Sequence, residues 1–140
     1  MTTHFRSVPS GAQLTLLGGL LLAAVTVGTW LAWLSWNTGY RTDPETGAIS
    51  GPYAVWQVAG CVLTLAVVAA AGGWWLSPWL VAPVMAVAFT VPWAVHAASS
   101  DDTGLWGVGA MLVLVGTATG GGVVSLVTRL LRLRLSSPRS

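Results

Sequence analysis

From Gln13 to Trp36 the chain reads QLTLLGGLLLAAVTVGTWLAWLSW, with no charged side chain. Three further apolar blocks follow, at 52–76, 78–98 and 103–131, and the last meets its first charge only at Arg129. At about 1.5 Å per residue, each block is long enough as a helix to cross roughly 30 Å of hydrocarbon. A β-barrel would need strands of about ten residues with alternating polarity, a pattern these blocks lack. A water-soluble fold is excluded on surface grounds. Only 7% of the residues are charged and 54% are hydrophobic, whereas soluble domains carry about 25% charged residues. The chain therefore reads as an all-α membrane protein, one domain over 1–140, with flexible cytoplasmic tails at 1–11 and 136–140.

The links are short. Only Leu-Ser-Pro separates the tryptophan pair at 74–75 from Trp79, which makes the second and third helices antiparallel neighbours in an up-down-up-down four-helix bundle. Pro52 and Pro78 suit first helical turns, where a missing N–H costs nothing, and Ser77 suits an N-cap. Asp101 or Asp102 is the expected cap of the fourth helix. The first block exceeds the roughly 7–15 apolar residues of a secretory signal, and no small-x-small cleavage site precedes the polar loop. It reads as a retained helix.

Arginine placement sets the expected orientation. Arg6 precedes the first block, and Arg129, Arg132, Arg134 and Arg139 end or follow the last. After an even number of crossings all of these share one side. The opposite side holds Arg41 with Asp43, Glu45, Asp101 and Asp102. The expectation is a multi-pass protein of the bacterial plasma (inner) membrane, with both termini cytoplasmic and the loops at 37–51 and 99–103 facing outward. The tryptophans agree. Trp33, Trp36, Trp56, Trp93 and Trp106, with Tyr40 and Tyr53, fall near the outer ends, and Trp74, Trp75 and Trp79 at the inner turn. Interfacial belts place aromatics this way; the competing reading is an aromatic cage for a cationic compound.

The outer segment YRTDPETGAIS combines a turn-initiating Asp-Pro with Gly47, which can adopt positive φ. Its flanks are expected to pair as a short hairpin. Its carboxylates, with Asp101 and Asp102, are set against the six to eight oxygens a hard cation needs. The spacing is not that of an EF-hand, and no metal site is expected. There is no basic patch interleaved with aromatics, so nucleic acid is excluded as a partner. Cys61 lies in an apolar run and reads as a small buried hydrophobe.

Ionisable groups inside a membrane point to transport. Here the blocks hold no Asp, Glu or Lys. His96 is the one strong titratable candidate, near the outer end of the third block, and reads first as an interfacial histidine and second as a proton sensor. Pro83 and Pro92 each remove a backbone hydrogen bond from the same helix, and broken helices line many carrier sites. His96, Pro83 and Pro92 are thus the transport candidates. Gln57, Thr64 and Thr90 suit interhelical hydrogen bonds. In the fourth block, GTATGGG places Gly116 and Gly120 at GxxxG spacing, which permits close helix approach within or between subunits. It lacks the Lys-Ser/Thr ending of a phosphate loop. Arg129, Arg132 and Arg134 read as lipid-headgroup anchors, worth about 1 kcal/mol each near anionic lipid. No nucleophile–base pair, cofactor motif or metal-ligand cluster is present, so neither a cofactor nor an enzyme is expected.

GYRTDPETGAISGPYAVWQVAGCVL resembles a group of small four-helix membrane proteins of actinobacteria, in which a D-x-x-T-G…GPY loop leads into a WQV helix. The likeness covers the first outer loop and the second helix. No activity attaches to that group, so the resemblance implies an architecture and assigns no residue a role. Small multidrug efflux proteins are similar in length and helix number, but they need a membrane-embedded glutamate in the first helix, which is lacking here. The expected role is a non-enzymatic structural or accessory subunit, embedded in the lipid bilayer and assembling with itself or with a larger membrane complex through helix packing. The alternative is a small transporter or channel for an ion or cationic compound.

Overall fold

The structure, a computed structural model, describes residues 10–36 and 39–138. The elements are α1 (Gly11–Leu34), a hairpin of β1 (Arg41–Thr42) and β2 (Ile49–Ser50), α2 (Val55–Trp75), α3 (Pro78–Ser100) and α4 (Trp106–Ser136). All four helices are long and apolar enough to cross a membrane. Together they form the expected four-helix bundle of an integral, multi-pass membrane protein. Arg6 and Arg139 lie outside the described residues.

Each helix end has a local cause. α1 starts earlier than Gln13 because Ser10 caps it reciprocally: the Ser10 hydroxyl accepts from the Gln13 N–H, and the Gln13 side chain accepts from the Ser10 N–H. Pro52 precedes α2 instead of opening it, and Ala54 takes the cap position. Pro78 does open α3, but the Ser77 hydroxyl makes no capping bond. α4 is the longest helix and runs on to Ser136, five positions past the expected Leu131. The hairpin forms as read, with Arg41 opposite Ser50 and Thr42 opposite Ile49. Gly47 takes φ 68°, the turn position that a side chain would strain.

The packing order differs from the simplest expectation. α1 lies against α2 and α3, and α4 lies against the same two helices, while the α1 and α4 backbones do not come close to each other. α2 and α3, joined by the shortest link, touch only sparingly. They stand diagonally across the bundle, and their turn crosses it between α1 and α4. The link forces antiparallel direction but not side-by-side packing, because each helix gains a better surface elsewhere. α3 seats Trp93 against Gly109 of α4, and Ala82 meets Gly122 lower down. α2 seats the Trp33 ring of α1 on Gly60.

Two apolar cores stack along the bundle. Leu22, Ala69, Val81 and Met85 fill the end near the α2–α3 turn. Trp30, Leu34, Cys61 and Phe89 fill the hairpin end. The remaining Leu and Val side chains point mostly outward, as lipid solvation allows. α4 is the least covered helix: 6% of its apolar span is buried, against 22–28% in the other three.

Candidate functional site

α2 and α4 run in the same direction and converge at one end only. A Cβ on Gly73 would fall 2.4 Å from the Ser125 carbonyl oxygen, so here the two backbones touch. Toward the hairpin end the helices part. The gap is a cleft of about 400 Å³ with α3 as its floor, lined there by Phe89 and Trp93. Cys61 and Leu65 line the α2 wall, and Gly116 and Gly120 the α4 wall. A Cβ on either of these two glycines would meet no atom within 4 Å. The GxxxG pair is therefore not spent on any contact among the described residues. The internal close approaches use Gly60, Gly73 and Gly109, which sequence spacing does not single out.

The polar groups near the cleft are mostly satisfied within the fold. Gln57, fully buried, accepts at Oε1 from the Ala54 N–H and donates from Nε2 to the Trp33 carbonyl. Thr64 accepts from the Trp33 indole N–H at 3.1 Å and donates to the Gly60 carbonyl. Thr26, Thr29 and Thr128 donate back to carbonyls four residues earlier. The buried Trp30 indole N–H and Thr90 hydroxyl have no hydrogen-bond partner.

His96 sits in the last turns of α3, half-buried, with its ring 5.9 Å from Trp30 in an edge-on arrangement. Pro83 and Pro92 line a shallow furrow between α3 and α1, on a different face of α3 from Phe89 and Trp93. The helix continues through both prolines. The transport candidates are therefore not gathered at the cleft.

At the hairpin end, Asp101 fastens the α3–α4 corner. Its carboxylate accepts from the Thr103 hydroxyl and N–H and from the Trp106 N–H at 2.7 Å, so it caps α4 from five residues before it. The Thr103 hydroxyl foremost, then backbone N–H groups, hold the Asp101 carboxyl below its ordinary value of 3.8. Asp43 is lowered likewise, chiefly by the Glu45 N–H. Each carboxylate serves its own turn, and among the described residues no three His, Cys, Asp or Glu side chains gather as metal ligands would.

At the opposite end, two of the three α4 arginines reach the α2–α3 turn. Arg129 donates to the Leu76 carbonyl and Arg132 to the Trp74 carbonyl. The Arg132 guanidinium also lies 5.8 Å from the centre of the Trp74 ring. These carbonyls end α2 and have no intrahelical partner, so in a membrane they need such donors. Arg134 is exposed. Neither a protein family, nor a curated protein, nor a solved structure matches the chain.

Proposed function

We propose that this protein is a non-enzymatic membrane subunit that assembles with itself or with a larger membrane complex, by seating a neighbour's helix in the α2–α4 cleft. The observation that carries the reading is the open ground at Gly116 and Gly120: a glycine pair on the least covered helix, facing space and not a partner within the chain. Small residues of this kind let two helix backbones approach closely, which is the main source of helix association in lipid. The apolar side chains that fill the interior and the locally bonded threonines support a structural role over a conducting path. The arginine distribution supports placement in a bacterial plasma membrane with both termini cytoplasmic.

Oligomer size in lipid nanodiscs or mild detergent tests this. The wild-type chain, with any partner it copurifies with, should run larger than a monomer, and Gly116→Leu with Gly120→Leu should release the monomer. A cysteine at Thr117, in a Cys61→Ala background, should cross-link across the interface. A wild-type chain that stays monomeric and uncross-linked would leave the cleft free and turn the reading to its alternative, a small transporter. The cleft favours that second reading by its size, since about 400 Å³ lies within the range of small-molecule sites.

A further inference from the structure

The carboxylates and the α4 arginines stand at opposite ends of the molecule. Asp43 and Glu45 lie in the β1–β2 turn, and Asp101 and Asp102 follow α3. From Trp106 at that end to Arg129 the helix advances about 35 Å. No described residue in the first turns of α1, in the α2–α3 turn or in the last turns of α4 is acidic. Arg129 and Arg132, both exposed, thus have no counter-charge from the described chain, and each donates to one backbone carbonyl at the α2–α3 turn.

Both stand where α4 runs on past the end of α2. α2 stops two residues after the Gly73–Ser125 contact, but α4 continues from Ser125 to Ser136, about 16 Å further. α1 behaves the same way: Gly18 packs against Leu76 at the turn, and the helix extends from there back to Gly11, about 10 Å beyond. The α2–α3 turn is therefore set back from the ends of α1 and α4. It crosses between those two helices, so they flank a recess whose roof is the turn. Trp74 and Trp79 are exposed at the turn, Trp79 at 90%. Each arginine has five N–H donors and uses one nitrogen on an α2 carbonyl, which leaves donors for an oxyanion.

We propose that this recess binds the headgroup of an anionic phospholipid, whose phosphate neutralises Arg129 and Arg132 while the exposed tryptophans lie at the ester level. The lipid supplies the counter-charge that the described residues lack there. Its acyl chains run along the apolar flanks of the bundle, so the ligand is a lipid and not a free ion. Arg134 points about 200° around the helix from Arg132 and is outside the site. The proposal stands independently of the assembly reading.

Native mass spectrometry of the full chain, exchanged into mixed micelles of phosphatidylglycerol and phosphatidylcholine, tests it. The wild-type protein should retain the anionic lipid with a preference of about ten-fold or more, for two guanidiniums near the headgroup. Arg129→Gln with Arg132→Gln should abolish the preference, and Arg134→Gln should keep most of it. Because the double variant also loses the donors to α2, the pair Arg129→Lys and Arg132→Lys provides a folded check: charge is kept, and the preference should persist in reduced form. Equal retention of the two lipids by the wild type overturns the proposal without reference to any variant. So does a preference that follows Arg134, or one displaced by millimolar inorganic phosphate, which would mark a free-ion site.

Discussion

A buried amide must find partners for both of its ends, and Gln57 finds them on two helices. Its oxygen takes the N–H of Ala54 before α2, and its nitrogen supplies a donor to the last turn of α1, where carbonyls have no helical partner. In lipid no water can replace these bonds. Gln57→Leu keeps much of the volume and strands both groups. It should lower stability by about 1–2 kcal/mol, read as an earlier midpoint in denaturant titration of the detergent-solubilised chain. An unchanged midpoint would mean that the α1–α2 corner is held by something else. The sequence marked Gln57 as a polar residue in an apolar run and suggested an interhelical bond. It did not reveal the acceptor, because the Trp33 carbonyl is free only if α1 ends at Leu34. Thr64 came out as read, bonded to the Trp33 indole, whereas the Thr90 hydroxyl has no partner.

Helix contacts are decided by which glycines face which backbones. Gly73→Ala would drive a methyl group into the Ser125 backbone, which cannot swing aside as a side chain can. We expect a loss of about 1–3 kcal/mol, the usual cost of overpacking. Gly116→Ala meets nothing within the chain and should be neutral or gain up to about 1 kcal/mol from helix propensity. Paired unfolding titrations of monomeric protein check this, and equal effects from the two substitutions would contradict the close approach of α2 and α4. Helix number, the hairpin with Gly47 at its turn, and the proline opening of α3 were all readable, since each depends on local pattern. The seats at Gly60, Gly73 and Gly109 were not. A glycine's neighbour across the bundle depends on which helices are adjacent, and spacing along one helix carries no such information.

At the scale of the whole molecule, the diagonal placement of α2 and α3 was the feature least open to sequence reading, because a short link fixes direction and leaves lateral position free. Charge asymmetry was readable at once. It yields the remaining prediction: a cytoplasm-active reporter fused after Ser140 should be active, and one that works only outside the cytoplasm should be active when inserted near Glu45. Activity of each reporter at the wrong site would reverse the orientation. The set-back α2–α3 turn also shapes the surroundings. Along α1 the greasy wall is tall, but beneath the turn it is shorter by about two helical turns. A fluid film cannot leave either wall uncovered, so one leaflet must dip toward the turn. Each copy would then carry its own dimple, and two copies whose dimples merge disturb less of the film than two kept apart.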